Sequence, residues 1–199
     1  MKKLIIFDIG GVLVDFMEEM YISYLHRRVL PGITYRKLEK FIMPLIELME
    51  YGTLNVTELE GMVAKHFGLK NVRLQWVEGF RETARPKPRM ISLVKRMQKN
   101  YQVVLLSNVS YSRFDELKDT YLDGLKVRVF LSCEMKLRKP GPRIYEQVLK
   151  AMHVKPEEAI FIDNQIENVI GAEKAGITAL WFRNYKKLME DFEDEGIKV

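Results

Sequence analysis

The sequence predicts an α/β fold, a doubly wound parallel sheet that carries an inserted segment made only of helices. One observation is that short apolar runs alternate with helical patterns from residue 89 to 182, because strands alternating with helices indicate crossover connections and a parallel sheet. A second is a lone apolar run at residues 4–7, which a long stretch without a convincing strand separates from the others. The first run must join the same sheet, so the stretch that follows it is an insertion.

Five apolar runs are predicted as strands because each is short and bounded by residues that favour a turn or solvent. They cover residues 4–7, 102–106, 127–131, 159–162 and 178–182. The helices expected between them cover about 89–99, 110–121, a segment that begins at Pro142, and 166–175. Pro142 occupies the first helical position, where a missing N–H is tolerated, and Gly176 closes the last of these helices.

The insertion is predicted as four helices, because its apolar residues recur at helical spacing. These helices are expected near residues 21–29, 38–49, 56–67 and 71–82. Asn55 followed by Glu58 resembles a capping box at the start of the third helix, and Gly68 ends that helix. The segment Arg85-Pro86-Lys87-Pro88 is stiff and cannot continue a helix. The predicted organisation is a core formed by residues 1–15 and 86–199, with a helical module at 16–85.

Composition and charge favour a soluble cytoplasmic protein. The single cysteine, Cys133, excludes a disulfide within the chain and fits a reducing compartment. The apolar run at 4–7 is too short for a signal peptide, and no stretch is long enough to cross a bilayer. The net charge of +5 comes with acidic residues spread along the chain and without a recognised nucleic-acid motif. We therefore expect neither a nucleic-acid nor a membrane partner, while both a monomer and a homodimer stay open.

The first predicted strand runs directly into Asp8, which is followed by Gly10 and Gly11. A carboxylate in this place lies at the carboxyl end of a strand, where open α/β sheets carry their chemistry. The two glycines let the backbone approach a ligand closely. Asp8 is therefore a candidate nucleophile or metal ligand, although the same residues also suit an ordinary turn after a strand.

Polar residues follow three further strands, and in a parallel sheet these strand ends meet at one edge. They are Ser107-Asn108, the loop with Lys136, Arg138 and Lys139-Pro140, and Asp163-Asn164 with Glu167 and Asn168 close behind. A hydroxyl and an amide can bind phosphate oxygens, and paired carboxylates suit Mg²⁺. Each element alone has a simpler explanation, respectively a helix N-cap, an exposed loop and a turn. Their order along the chain favours a Mg²⁺-assisted phosphoryl site.

This ordered set resembles the four motifs of the haloacid dehalogenase (HAD) superfamily of hydrolases. Asp8-Ile9-Gly10-Gly11-Val12 is similar to the first motif, and the three polar pairs after the later strands are similar to the second, third and fourth. The resemblance covers nearly the whole chain and implies a Rossmann-like core with a type-1 helical cap. The runs Leu-Ser-Asn-Val, Arg-Lys-Pro-Gly-Pro-Arg-Ile-Tyr and Asn-Val-Ile-Gly-Ala further resemble bacterial α-D-glucose-1-phosphate phosphatases.

The resemblance implies a Mg²⁺-dependent phosphatase that hydrolyses a small phosphorylated metabolite of the sugar phosphate class, with sugar 1-phosphates among the candidates. Asp8 would attack phosphorus and form an aspartyl-phosphate, and Lys139 would offset the charge of this nucleophile. The phosphate would be bound by Ser107 and the backbone around Asn108. The Mg²⁺ ion would be held by Asp8, the Gly10 carbonyl and Asp163.

Two positions depart from the commonest pattern of the superfamily. Many of its phosphatases have a second aspartate, a general acid and base, where this chain has Gly10; Asp15 is a candidate substitute. Asn164 stands where a second acid is frequent, and Asn164 with Glu167 resembles the amide and acid pair of 2-haloacid dehalogenases. Those enzymes need no metal, whereas Asp163 favours one. A dehalogenase-like hydrolase is therefore an alternative, and so is a catalytically weak member that acts as a binding or regulatory protein.

Overall fold

The computed structural model describes residues 1–16, 18–70, 72–122 and 124–199. Its strands are, in chain order, β1 (Leu4–Phe7), β2 (Val14–Asp15), β3 (Arg85–Pro86), β4 (Gln102–Ser107), β5 (Arg128–Leu131), β6 (Ala159–Asp163) and β7 (Thr178–Trp181). Five of them form a parallel sheet in the order β5-β4-β1-β6-β7. Each of the five predicted runs lies in this sheet, so the α/β parallel-sheet class is confirmed, with β1 at its centre.

Helices pack on both faces of the sheet, as a doubly wound fold requires. The α-helices of the described residues, including those of the inserted segment, are α1 (Glu18–Tyr24), α2 (Tyr35–Glu50), α3 (Val56–Phe67), α4 (Trp76–Thr83), α5 (Pro88–Met97), α6 (Tyr111–Tyr121), α7 (Ser132–Met135), α8 (Pro142–Met152), α9 (Ile166–Lys174) and α10 (Tyr185–Asp194). Successive residues of a strand point to opposite faces, and Ile5 and Ile6 accordingly belong to different buried apolar clusters. Among the described residues, no helix is both long and apolar enough to span a bilayer.

Helices α1 to α4 lie between β2 and β3, which pair as a short antiparallel ribbon. The segment expected to be only a stiff boundary, residues 85–88, thus supplies one strand of this ribbon, with Arg85 level with Asp15. One continuous cluster of buried apolar residues runs from Ile5 of β1 to Leu59 of α3. Because this cluster crosses the expected boundary, the division into two domains stays a prediction.

Two helices of the inserted segment show how far the local sequence determines helix ends. The third matches its prediction: the Glu58 amide donates to Asn55 Oδ1 (3.0 Å), the Asn55 amide donates to Glu58 Oε2 (2.8 Å), and Gly68 ends the helix. The fourth begins at Trp76 rather than at residue 71. Gln75 has a left-handed backbone with φ of 48°, which keeps the chain out of a helix before Trp76. Residue 71 itself lies outside the described residues.

Candidate active site

The carboxyl ends of β1, β4 and β6 bring predicted site residues together. These strands are neighbours, and Phe7 of β1 is level with Ile162 of β6. The next residue of the chain is Asp8, whose amide donates to the Ile162 carbonyl (2.9 Å). Ser107 and Asp163 are the last residues of β4 and β6. The structure therefore places Asp8, Ser107 and Asp163 at one edge of the sheet, as expected from parallel strands.

Lys139 joins the two predicted carboxylates at this edge. Its Nζ atom donates to Asp8 Oδ1 (2.7 Å), to Asp163 Oδ2 (2.7 Å) and to the Leu106 carbonyl (3.1 Å). The residue is only 1% exposed. Burial disfavours its charge, yet the attraction of Asp163 and Asp8 together outweighs burial and raises the pKa of Lys139. The ammonium is thus a fixed, fully charged group between two carboxylates.

The cluster of Asp8, Asp163 and Lys139 carries more negative than positive charge. Asp8 is 6% exposed and Asp163 is fully buried, and the two share Lys139. Burial raises the pKa of Asp8 to about 7; the charge of Asp163 adds to this increase and that of Lys139 opposes it. A further cation at this position would therefore stabilise the ionised form of Asp8.

Asn108 holds the backbone of Lys139. Its Nδ2 donates to the Lys139 carbonyl (2.9 Å), and its Oδ1 accepts from the Lys139 amide (2.9 Å). Both ends of the amide side chain are thus occupied by one residue of the loop before α8. The side chain of Asn108 positions the lysine, and the expected contact to phosphate rests on the backbone near Asn108 and on Ser107.

Asn168 of α9, one of the polar residues behind Asp163 and one to which the sequence assigns no role, fixes Asp163. Asn168 Nδ2 donates to Asp163 Oδ2 (3.0 Å), and the Gln165 amide donates to Asp163 Oδ1 (2.8 Å). Asn168 is 3% exposed, and its carbonyl accepts from the Tyr145 hydroxyl (2.7 Å). Charged and amide hydrogen bonds of this kind hold a carboxylate in one orientation. The Asp163 carboxylate is therefore oriented before any ligand arrives.

Asp8 and Lys139 line a cavity of about 360 Å³. The strand ends and loops of the sheet contribute Gly10, Ser107, Asn108 and Asn164 to its lining. Helices α1, α2 and α6 and the loop before Lys139 contribute charged side chains, among them Glu18, Glu50, Arg113 and Arg138. A volume of this order suits a small metabolite. The predicted catalytic centre therefore opens into a space in which a small substrate fits.

The donor atoms at this edge fit a hard divalent cation. Asp8, Asp163 and the Gly10 carbonyl would supply oxygen ligands, the type that Mg²⁺ prefers. Asn164 Oδ1 is a buried acceptor without a hydrogen-bond partner beside the same cavity. Within residues 1–16, 18–70, 72–122 and 124–199, no group of three or more His, Cys, Asp or Glu side chains could hold a metal. The remaining coordination positions would fall to water, as is usual for Mg²⁺, and the ligand set stays a prediction.

Two accessory candidates lie elsewhere. Asp15 is 58% exposed and pairs with Lys87 Nζ (2.7 Å), which also donates to the Gly11 carbonyl (2.6 Å). Glu167 is exposed in the first turn of α9. Neither residue is among those that line the cavity. The structure therefore gives Asp15 a place that stabilises the loop after Asp8, and it does not bring Asp15 or Glu167 to the cluster.

Gly11 has a specific reason to be glycine. Its φ of 77° is left-handed, and a Cβ at this position would collide with the side chain of Asn164. At Gly10 the conditions differ, because a Cβ there would meet only the Phe16 carbonyl oxygen at 3.9 Å. The first motif therefore requires one glycine for its turn, while the absence of an acid at residue 10 has no steric cause at the Cβ.

Comparisons with known proteins agree with this geometry. Residues 2–176 match the profile of haloacid dehalogenase-like hydrolases. A D-ribitol-5-phosphate phosphatase of Bacteroides thetaiotaomicron is 27% identical over 190 residues, which cover 87% of this chain and 88% of that protein. A sesquiterpene phosphatase of Aspergillus oryzae is 27% identical over 183 residues, which cover 89% of this chain and 88% of the relative.

A solved structure shares the fold. A HAD family enzyme of Bacteroides thetaiotaomicron aligns with a TM-score of 0.82 at 21% identity, over 94% of this chain and 98% of that one. The same enzyme in complex with magnesium and inorganic phosphate aligns with a TM-score of 0.80. The sheet order and the family match together confirm the expected superfamily, and the chain belongs to the haloacid dehalogenase-like hydrolases.

Proposed function

We propose that this hydrolase is a Mg²⁺-dependent phosphatase that cleaves small phosphorylated metabolites through an aspartyl-phosphate on Asp8. The observation that carries the proposal is the buried cluster in which Lys139 contacts both Asp8 and Asp163 beside a cavity of about 360 Å³. The phosphatase names of two relatives that each match more than four fifths of the chain support the same activity.

In the first step, a carboxylate oxygen of Asp8 attacks phosphorus, and the bond from phosphorus to the leaving oxygen breaks with its electron pair on that oxygen. Lys139 holds Oδ1 of Asp8 (2.7 Å), which leaves Oδ2 for the attack. In the second step, water attacks phosphorus, releases inorganic phosphate and regenerates the Asp8 carboxylate. A covalent intermediate of this kind divides one difficult displacement into two easier ones.

The other residues of the cluster bind and orient. Lys139 offsets the repulsion between Asp8 and an incoming phosphate dianion, and its fixed position avoids reorganisation during the reaction. The Ser107 hydroxyl donates to a phosphate oxygen. Asp8, the Gly10 carbonyl and Asp163 hold Mg²⁺, which, when bound, screens the charge of the phosphate from the carboxylates.

Side chains of α1 and α2, which belong to the inserted segment, complete the wall of the cavity. Glu18 and Met43 are among the lining residues that residues 16–85 contribute. We propose that this segment acts as the cap that encloses the leaving group, because the strand ends alone supply only the catalytic centre.

The absence of an acid at residue 10 restricts the range of substrates that we propose. Proton transfer to a leaving oxygen contributes about 10²–10⁴-fold to a rate, and Gly10 cannot supply it. Substrates whose leaving group is a weak base depend least on such a proton. Sugar 1-phosphates therefore fit the site better than phosphates of ordinary primary alcohols.

The proposal is tested with purified protein and a panel of phosphorylated metabolites, with Mg²⁺ and with excess chelator. We expect release of inorganic phosphate that requires Mg²⁺ and that Asp8→Asn abolishes, while the exposed Asp15→Asn control keeps at least about half of the activity. Full activity in chelator, or halide release from 2-haloacids without metal, would contradict it in favour of the dehalogenase. Binding of a metabolite without any turnover would favour the regulatory alternative.

A further inference from the structure

The helices that enclose the cavity give it a second charged region, separate from the catalytic cluster. We call this region the helical wall; it consists of four carboxylates and two guanidiniums, those of Glu18, Glu19, Glu47, Glu50, Arg113 and Arg138. We propose, on the basis of the phosphatase function above, that the helical wall selects phosphate monoesters whose leaving group is uncharged or cationic and rejects those with a second anionic group.

The charge of Arg113 is already paired with a carboxylate of α1, although its buried Nε has no hydrogen-bond partner among the residues that the structure describes. Its Nη1 donates to Glu18 Oε1 (3.0 Å), and the guanidinium lies over the rings of Phe16 (4.2 Å) and Trp76 (4.6 Å). The side chain is only 4% exposed. Contacts on both its edge and its face fix the guanidinium. A substrate anion at this position would compete with the Glu18 carboxylate, which is 24% exposed, for the charge of the same guanidinium.

Arg138 is engaged in the same way by α2. Its Nε donates to Glu50 Oε2 (2.6 Å), and its Nη2 lies 3.8 Å from Glu47 Oε1. The Glu50 carboxylate is 5% exposed and that of Glu47 is 57% exposed. Burial raises the pKa of Glu50 and Arg138 opposes this increase. Because two carboxylates face one guanidinium, the group formed by Arg138, Glu47 and Glu50 has a net negative charge.

The balance of the helical wall is therefore negative. Each of the two guanidiniums is paired with one carboxylate, that of Glu18 (24% exposed) or that of Glu50 (5% exposed). The negative charges of Glu19 and Glu47 are therefore in excess. A second phosphate or a carboxylate on the leaving group would be placed against like charge. Hydroxyl and ammonium groups can instead donate hydrogen bonds to carboxylate oxygens. Rejection by like charge is a common source of specificity.

The test uses three aryl phosphates in which a methylene group separates each substituent from the ring, and each kcat/KM is corrected for the leaving-group pKa with a substituted phenyl phosphate series. The three substrates are 4-(hydroxymethyl)phenyl, 4-(aminomethyl)phenyl and 4-(carboxymethyl)phenyl phosphate. With Mg²⁺ present, we expect kcat/KM for the first two to exceed that for the carboxymethyl substrate by about tenfold or more, the size of repulsion from partly exposed charges several Å away.

Variants that remove single charges test whether the helical wall causes the preference against the carboxymethyl substrate. Glu47→Gln and Glu19→Gln each remove a charge that no buried arginine requires, so neither substitution leaves a buried cation unpaired. Each should reduce the preference against the carboxymethyl substrate by about threefold. Glu146→Gln on α8 removes the same charge from an exposed position outside the cavity and should leave the preference unchanged.

The outcomes separate this inference from the phosphatase proposal. No turnover of any of the three substrates with Mg²⁺ would overturn both. Turnover in which the carboxymethyl substrate is equal or preferred would overturn the selectivity alone, as would a preference that Glu19→Gln and Glu47→Gln change no more than Glu146→Gln does. A preference that the two cavity variants reduce and the control does not supports the inference.

Discussion

Replacing Asp8 by asparagine should stabilise the metal-free protein while abolishing turnover. Asp8 is 6% exposed and shares Lys139 with Asp163. Burial raises its pKa from 3.8 to about 7, so the folded protein holds the Asp8 proton more tightly than the unfolded chain does. The stability that this proton contributes is complete below about pH 4 and is lost as the pH rises through 7.

The size of the effect follows from the two pKa values. Each pKa unit corresponds to about 1.4 kcal/mol, so a change from 3.8 to about 7 makes ionisation of Asp8 cost the folded state about 4 kcal/mol. Asparagine does not titrate, and Lys139 keeps Asp163 as a partner. The free energy of unfolding of Asp8→Asn, relative to wild type, should therefore rise by about 4 kcal/mol between pH 4 and pH 7 and stay constant above that.

The assay is urea unfolding in excess chelator, at intervals from pH 4 to pH 9. Asp15→Asn is the matched control, because Asp15 is 58% exposed and pairs with Lys87 at the surface. Its free energy of unfolding should stay within about 1 kcal/mol of wild type at every pH. An Asp8→Asn protein that is less stable than wild type at pH 8, or a difference that does not depend on pH, would refute the reasoning about burial and shared charge.

Three further predictions concern activity. Asp163→Ala should raise the Mg²⁺ concentration for half-maximal activity by at least about tenfold, because a carboxylate ligand is lost; an unchanged Mg²⁺ titration would contradict the assigned ligand. Lys139→Ala should lower kcat by about 10²–10³-fold with a smaller change in KM, whereas Lys136→Ala, an exposed lysine of the same loop, should stay within about twofold; a mainly KM effect would instead indicate a binding role. Across substituted phenyl phosphates, log kcat/KM should rise steeply as the leaving-group pKa falls, and Gly10→Asp should flatten this slope, since a Cβ there meets no atom closer than 3.9 Å. A flat dependence in wild type, with chemistry shown to be rate-limiting, would mean that another acid serves the leaving group.

The sheet could be predicted from the sequence because its strands are local features. The runs at 4–7 and 159–162 are apolar along their whole length, as strands buried on both faces must be, and they lie within β1 and β6. The ribbon of β2 and β3 could not be predicted, since each strand has two residues and its pairing joins distant segments. The start of α4 could not be predicted either, because it depends on a contact with another helix: the Leu74 amide donates to Glu60 Oε1 of α3 (2.8 Å).

The helix α10 (Tyr185–Asp194) was not predicted from the sequence either, although its signal is present. Asn184 caps its first turn by accepting from the Lys187 amide (2.9 Å). Leu188 and Phe192 are the buried residues, one turn apart, so the helix is fixed by only a narrow apolar stripe. A mostly charged segment of this kind is easily interpreted as an exposed tail.

The candidate site likewise contains residues that could be predicted from local sequence motifs and residues that could not. Asp8, Lys139 and Asp163 follow recognisable motifs, and the structure brings Lys139 within hydrogen-bond distance of both carboxylates. The pairs of the helical wall join residues far apart in the chain, Glu18 with Arg113 and Glu50 with Arg138. In the sequence Glu18, Glu50 and Arg113 look like ordinary charged positions of exposed helices, and Arg138 looks like a residue of an exposed loop. Only tertiary packing reveals that they line the cavity.

The most direct measurement traps the intermediate on residue 8. Enzyme quenched in acid during turnover is reduced with borohydride, which converts an aspartyl-phosphate to homoserine, and the digested protein is sequenced by mass spectrometry. With Mg²⁺ and substrate present, homoserine should appear at the position of Asp8 and nowhere else, and it should be absent without substrate. Turnover that proceeds while residue 8 remains unmodified aspartate, or reduction at a different carboxylate, would contradict the covalent role of Asp8.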